Sequence, residues 1–188
     1  MEFLTWLIIG IVAVVVIVIL YYYNRFAVLS NRIDNSLSQI DVQLKRRADL
    51  IPNLIESVKG YMKHEKSAIK AVTDARKAML SAGGDLVKRV KANTQLEGAL
   101  KTIFALAENY PDLKANTNFL ELQRELTATE DKVAYSRQYY NDSILSYENL
   151  RTTFPGSMFA GIFNRQKKEY LQIAESERKV VKVDFSDM

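Results

Sequence analysis

Few residues in this sequence could support catalysis or bind a metal. His64 and Glu65 begin like the H-E-x-x-H zinc motif, in which two histidines share one face of a helix. Position 68, where the second histidine would be, is Ala68, so the motif is incomplete. His64 is the sole histidine and there is no cysteine, so a thiol nucleophile and a thiolate metal site are excluded. We therefore expect a protein that is not an enzyme and that holds no metal or other cofactor.

Phosphate-binding and nucleic-acid-binding signatures are also missing. Gly83–Gly84 is not followed by the G-K-[ST] of a phosphate-binding loop. The isoelectric point near 9.1 would suit nucleic acid or anionic lipid. However, basic and acidic residues alternate along 63–77, which is typical of a solvated helix face. We expect no nucleic-acid partner.

A polar cluster between Asp41 and Asn53 is a candidate for a specific interaction. Within it, Arg47 falls on an otherwise apolar helix face. A charge that faces a bundle interior needs an opposite charge, so Arg47 would fix the helix register by pairing with Glu125, Glu130 or Asp131. Alternatively, its aliphatic stem follows the apolar face and the guanidinium reaches solvent. The sequence leaves both interpretations open.

Tyrosines form a second candidate cluster, which contains Tyr135, Tyr139 and Tyr140. Tyrosine at this density is typical of protein interfaces, since each ring adds contact area and each hydroxyl adds a hydrogen bond. The same residues could equally fill the core of a long bundle and keep their hydroxyls at its edge. Both interpretations remain open.

Two further candidates lie near the C-terminus. The apolar patch at residues 157–163 is too short to span a bilayer and would contact lipid, a neighbouring chain or its own bundle through Met158, Phe159, Ile162 and Phe163. Farther on, Val181, Val183 and Phe185 alternate with polar residues, a pattern that predicts a strand. A single strand has no partner within a helical bundle, so it would pair with another chain or pack loosely.

The element that positions all of these residues begins at the N-terminus. Fourteen of the eighteen residues from Phe3 to Leu20 are Leu, Ile, Val or Phe, and three tyrosines follow. A helix over residues 3–23 would be roughly 31 Å long, about the thickness of the hydrocarbon core of a bilayer. Arg25 and Arg32 follow the run and only Glu2 precedes it, so the positive-inside rule predicts N-terminus out, domain in the cytoplasm and location in a bacterial inner membrane.

Helical periodicity dominates the rest of the chain. Apolar residues recur at alternate steps of four and three from Ile33 to Met79, which predicts one helix packed on partner helices, with a kink or a break at Pro52. Gly83–Gly84 would end that helix, and Asp85 would cap the next one. Pro111 would open a long third helix, which Phe154–Pro155–Gly156 would stop.

The fold class predicted is therefore all-α. An N-terminal transmembrane helix would continue into a long antiparallel up-and-down bundle, followed by a short extended tail. The corresponding division is a transmembrane anchor at 1–24, a helical bundle at 25–153, and an apolar loop and tail at 154–188 with a short helix and the terminal strand.

The sequence closely resembles the LemA family of bacterial membrane proteins. The main resemblance is the block QIDVQLKRRADLIPNL at residues 39–54. Five shorter segments also match, namely Tyr23–Phe26, Tyr110–Asn116, Ala134–Asn141, Phe154–Gly156 and Val183–Phe185. The basic run Arg165–Lys168 departs from the family pattern.

The resemblance implies a single anchor, a cytoplasmic helical domain and no catalytic residues. It also implies a connection with membrane organisation and with membrane-bound zinc metalloproteases. The leading hypothesis is a scaffold in contact with the lipid bilayer that forms a homo-oligomer, serves as an adaptor for such a protease, or both. The alternative is a transmembrane signalling or sensory component.

Overall fold

The described part of the chain is helical throughout. The computed structural model describes residues 1–171, and within them there are six helices and no strand. The helices are α1 (Glu2–Lys59), α2 (Lys66–Ser81), α3 (Leu86–Ala107), α4 (Pro111–Lys114), α5 (Thr117–Thr152) and α6 (Gly156–Ile162). The all-α prediction is confirmed for these residues. The predicted strand at Val181, Val183 and Phe185 lies outside them.

The chain divides into two compact units. The first combines Met1–Ile40 with Ala134–Tyr170, and the second is built from Asp41–Val133. The first unit buries a cluster of residues from α1, α5 and α6: Phe26, Leu29, Ile33, Ile144, Tyr147 and Ala160. The second unit buries apolar residues of α1, α2 and α3, which include Leu44, Ile51, Leu54, Val72, Leu96 and Leu100. The predicted division at residues 24 and 153 stays a prediction.

The predicted apolar helix is confirmed as the beginning of α1. Among the described residues, α1 alone is long and apolar enough to cross a membrane. A helix is the form that such a run must take in lipid, because all its backbone N–H and C=O groups bond within the segment. The helix does not end at Tyr23 but continues to Lys59.

The prediction of one helix from Ile33 to Met79 is wrong. The chain leaves the helix after Lys59, and the Met62 N–H donates to the Val58 carbonyl at 2.8 Å within a turn that leads to α2. Gly60 lies in this turn, where its low helix propensity favours an ending. The apolar pattern nevertheless keeps its phase, because α1 and α2 both bury their apolar faces in the second unit.

The predicted start of the next helix is confirmed. Asp85 is the N-cap of α3, and its carboxylate accepts a hydrogen bond from the Lys88 N–H at 3.1 Å. Gly83 has φ +54°, a left-handed conformation that glycine adopts without steric cost. These two residues separate α2 from α3.

The predicted third helix is interrupted near its start. Pro111 opens the short α4, and α5 begins only at Thr117. Between them, the Asn116 side chain accepts a hydrogen bond from the Phe119 N–H at 3.1 Å, which starts a new helix. The predicted stop is confirmed, since α5 ends at Thr152. Within the predicted apolar loop, Gly156–Ile162 forms α6.

Pro52 neither ends nor interrupts α1. It lies inside the helix and cannot donate to the Ala48 carbonyl, which is the acceptor of residue 52 in an α-helix. Instead, Arg76 of α2 donates from Nε to that carbonyl at 2.8 Å. Ala48 is fully buried, so its carbonyl would otherwise be shielded from water without a partner. The break predicted as one alternative is therefore wrong.

This replacement of a backbone donor by a side chain can be tested with a double-mutant cycle. Arg76→Met should lower the free energy of unfolding by about 1–3 kcal/mol, because the Ala48 carbonyl loses its donor. In a Pro52→Ala background the loss should be smaller, since the backbone N–H that this substitution introduces can donate instead. Chemical denaturation of the full chain in detergent, followed by circular dichroism, measures both losses. An equal loss in the two backgrounds would contradict this role for Arg76.

Candidate functional site

Arg47 is the largest fully buried side chain of the second unit, with 1% of its surface exposed. Its Nη1 donates to Asn93 Oδ1 of α3 at 3.1 Å, and its Nη2 donates to Glu130 Oε2 of α5 at 3.1 Å. One side chain of α1 is therefore joined to two other helices. Of the two interpretations that the sequence allowed, the structure supports a buried, paired guanidinium, and the interpretation that it reaches solvent is wrong.

Two further charged residues belong to this cluster. Lys101 donates to Glu97 at 2.5 Å, and Glu97 also lies close enough to Arg47 and Glu130 to affect their charge. Burial raises the pKa of Glu97, but the Lys101 ammonium and the hydrogen bond with Glu130 more than offset this and lower it. The pKa of Glu130 is raised by burial and by the Glu97 carboxylate. We call Arg47, Asn93, Glu97, Lys101 and Glu130 the Arg47 cluster.

The Arg47 cluster is suited to packing rather than to chemistry. Two cations face two carboxylates, so their formal charges balance. The Arg47 pKa is lowered by burial, although both carboxylates favour its charged form. Its Nε is buried without a hydrogen-bond partner. Across the described residues, no group of three or more His, Cys, Asp or Glu residues could hold a metal ion.

Two solvent-accessible ion pairs lie beside this cluster. Arg46 bonds to Glu125 at 2.6 Å, and Arg89 bonds to Asp41 at 2.5 Å. In the Arg46–Glu125 pair both side chains are more than two-fifths exposed, so water screens the attraction. The apolar periodicity of the sequence already distinguishes the two adjacent arginines, since it places Arg47, and not Arg46, on the apolar face of α1.

The candidate tyrosines of α5 do not form one site. Tyr135 is 68% exposed and Tyr139 is half-buried. Tyr140 donates from its hydroxyl to the Glu169 carbonyl at 3.2 Å. Tyr147, which is buried in the same unit, donates to the Gln166 carbonyl at 3.1 Å. Two tyrosines thus fasten the segment after α6, whereas Tyr135 remains available at the surface.

Glu148 is a buried carboxylate that the sequence analysis did not single out. It is 9% exposed and accepts hydrogen bonds from Arg151 Nε and from the Lys168 N–H, both at 2.8 Å. Burial raises its pKa, but these bonds outweigh burial and lower the pKa below the usual 4.5. The only available signal was the spacing of three between Glu148 and Arg151, which is common on exposed helix faces.

The apolar patch divides between two environments. Phe159 and Phe163 are half-buried and pack against the core cluster of the first unit. Met158 and Ile162 are exposed. The structure therefore places half of the patch on the chain's own helices and leaves the other half facing outward.

Comparison with known proteins supports the resemblance to the LemA family. A model of the LemA family matches residues 36–185. Protein LemA of Metamycoplasma hominis is 27% identical over 158 residues, which cover 84% of this chain and 71% of that protein. The magnetosome protein MamQ of Magnetospirillum gryphiswaldense is 24% identical, with 79% of this chain and 64% of that protein covered. The chain thus spans less than two-thirds of this relative. These relatives and the apolar α1 indicate a membrane-associated protein with a single N-terminal anchor.

Adjacent arginines provide a matched test of the Arg47 cluster. Arg47→Glu should destabilise the protein by at least about 3–5 kcal/mol, because a buried cation is lost and a third carboxylate joins Glu97 and Glu130. Arg46→Glu should cost less than about 1 kcal/mol, because that pair is exposed. Thermal unfolding in detergent measures both. Equal effects of the two reversals would contradict the cluster's role in holding the helices.

Glu148 predicts a pH-dependent contribution to stability. Its folded-state pKa is lowered, so its contribution is present above pH 4.5 and is lost as the pH falls through the lowered value. Glu148→Gln should therefore have a lower melting temperature than the parent at pH 7, and this difference should shrink below pH 4.5. Glu121→Gln, at an exposed site on α5, is the control. A difference that is constant with pH would contradict the assignment.

Proposed function

Since the chain belongs to the LemA family, we propose that it is a non-enzymatic scaffold, anchored in a membrane, that assembles with copies of itself or holds a membrane partner. The observation that carries this proposal is the continuity of α1. The helix passes from the apolar run directly into the core at Phe26, three residues after Tyr23. A domain attached in this way cannot move freely about a flexible linker, which suits a protein that holds others at the bilayer.

The proposed topology places the domain in the cytoplasm. Arg25 and Arg32 lie on the domain side of the apolar run, and both are exposed. Positive residues next to a span are retained on the cytoplasmic side. We therefore assign the chain to the inner membrane of a bacterial cell, with its N-terminus outside.

The proposed architecture is an antiparallel bundle. In the first unit, Phe26 of α1 contacts Tyr147 of α5, and Asp34 lies close enough to Tyr140 to raise its pKa together with burial. In the second unit, Arg47 of α1 contacts Glu130 of α5, and Tyr61, just after α1, contacts Asn116, just before α5. As the residue numbers rise along α1, those of the partners fall within each unit. This supports opposite directions for α1 and α5.

We propose two partners. A second copy of the chain is one, because anchoring confines copies to two dimensions and raises their effective concentration. A membrane-bound zinc metalloprotease is the other, for which the chain would serve as an adaptor. Tyr135, which is exposed on α5, is the tyrosine most available for either contact. Co-purification of a protease from native membranes, lost on Tyr135→Ser, would support the adaptor role.

Signalling is the second candidate function. The continuity of α1 favours it, because an uninterrupted helix could transmit a displacement from the membrane into the second unit. It differs from the scaffold in one measurable respect. A signalling role requires that a stimulus changes the conformation of the second unit, whereas a scaffold assembles in its absence.

Self-assembly can be tested by measuring the mass of the protein. The full chain, extracted in mild detergent, should elute as a discrete species well above the 21.5 kDa of one chain when size exclusion is combined with light scattering. Cross-linking in native membranes before extraction guards against dissociation by detergent. One chain per particle in both experiments would contradict self-assembly and leave the adaptor role.

The terminal segment offers a sharper variant of this test. If Val181, Val183 and Phe185 pair with another chain, replacing all three by serine should dissociate the assembly. Replacing Lys182 and Asp184 by serine should not, because alternate residues of a strand face opposite sides. An assembly that survives the triple substitution would contradict a role for this segment.

A further inference from the structure

Three exposed apolar residues follow one another at a spacing of four around α6. Phe154, Met158 and Ile162 are 79%, 58% and 70% exposed. A spacing of four places Met158 and Ile162 on one side of α6, and Phe154 lies in the turn just before this helix. We call these three residues the α6 stripe. An exposed apolar stripe of this kind marks a surface that contacts something other than water.

The other side of α6 is fixed against α1. Phe159 stacks on Tyr22, with ring centroids 4.5 Å apart and an interplanar angle of 9°. Phe163 meets Tyr23 edge-on at 5.6 Å, and Ala160 is buried in the core cluster. These contacts set the direction in which the α6 stripe faces. They also place α6 beside the tyrosines that close the apolar run of α1.

The position of α6 along α1 overlaps the membrane span. Phe159 and Ile162 line a cavity of about 350 Å³ together with Val14, Val15, Val18 and Ile19 of α1. Val14 precedes Tyr23 by nine residues, or roughly 13 Å along a helix. Part of α6 therefore lies beside residues that the bilayer must cover.

We propose that α6 is a second membrane contact, in which the α6 stripe inserts into the lipid leaflet that α1 crosses last. The stripe continues the lipid-facing surface of α1, and its apolar side chains suit the boundary between headgroups and acyl chains. Two basic residues that would face the headgroups, Arg25 and Lys167, are exposed nearby in sequence. The proposal requires that α1 spans a bilayer, but it does not depend on self-assembly or on a protein partner.

Lipid fits this surface better than a second copy of the chain does. The stripe consists of three side chains, whereas a stable protein interface uses about 20–30 residues on each side. The stripe is also next to a span that is already committed to lipid. A second copy is therefore the outcome that the experiment must distinguish.

The absence of cysteine from the sequence allows a direct test with single-cysteine variants of the full chain. Met158→Cys and Ile162→Cys change exposed positions, so they should leave the packing of α6 intact. Glu121→Cys, also exposed but on α5 and outside any proposed contact, is the control. Each variant is reconstituted in vesicles of phosphatidylethanolamine and phosphatidylglycerol and treated with a membrane-impermeant maleimide. In separate samples that have not met the maleimide, the same thiols are labelled with a fluorophore that is sensitive to polarity.

The α6 thiols should react roughly tenfold or more slowly than the Glu121→Cys thiol, because the inserted segment must leave the leaflet before it meets the reagent. A fluorophore at either α6 position should be quenched by nitroxides placed high on the lipid acyl chains, and one at position 121 should not. Both results should persist when the ratio of lipid to protein is raised.

Two results would overturn the proposal. Equal labelling rates at all three positions, without quenching by lipid nitroxides, would mean that α6 faces water. Protection that disappears as the protein is diluted with lipid would mean that a second copy covers the stripe. The first result would say nothing about the mass of the assembly, and the second would itself indicate self-assembly, so this proposal and the scaffold proposal can fail separately.

Discussion

The helix that crosses the membrane is the constraint on which the rest of this protein depends. In a bilayer, the backbone of the apolar run must satisfy its hydrogen bonds within the helix. That helix does not end where the bilayer ends, because Phe26 and Leu29 of the same helix are fully buried in the first unit. The residues between the span and the core are therefore held in helical conformation from both ends. The proposed scaffold role and the lipid contact of α6 both require this junction.

Buried polar groups specify how the remaining helices pack. Arg47 joins α1 to α3 and α5, Arg76 donates to the Ala48 carbonyl that Pro52 leaves without a donor, and Glu148 binds the Lys168 N–H. A different arrangement would leave each of these groups buried without its partner, at a free-energy cost of about 1–3 kcal/mol for a neutral group and more for a charge. The hydrogen-bonding groups of these side chains are therefore used to hold the helices together.

The sequence predicted best what depends on local patterns. The apolar run, the Asp85 cap and the stop before Pro155 each follow from residues within a few positions, and all are confirmed. The turn after Lys59 was missed because the apolar phase continues across it. When two successive helices pack into the same core, the spacing of apolar residues in the sequence can continue from one to the other unchanged. The break at Asn116 was missed because it depends on a single side-chain hydrogen bond, in which Asn116 accepts from the Phe119 N–H and starts a new helix.

In the candidate site, too, local features could be predicted from the sequence, whereas contacts between distant residues could not. The place of Arg47 on the apolar face made burial one of two open interpretations. Its partners depend on how three helices meet, so the sequence could offer only Glu125, Glu130 and Asp131 as candidates. Glu148 gave only the weak signal of its spacing from Arg151, since its other hydrogen-bond donor is the backbone N–H of a residue twenty positions away. Likewise, the two environments of the 157–163 patch arise from the contacts of Phe159 and Phe163 with α1.

Amide hydrogen exchange along α1 is the measurement that tests the central claim most directly. In the protein reconstituted in vesicles, residues 20–40 should form one slowly exchanging stretch, because the helix continues without a hinge from the span into the core. Mass spectrometry of overlapping peptides from this region would resolve it. A band of rapidly exchanging amides between Asn24 and Ile33 would reveal a flexible junction and contradict the account.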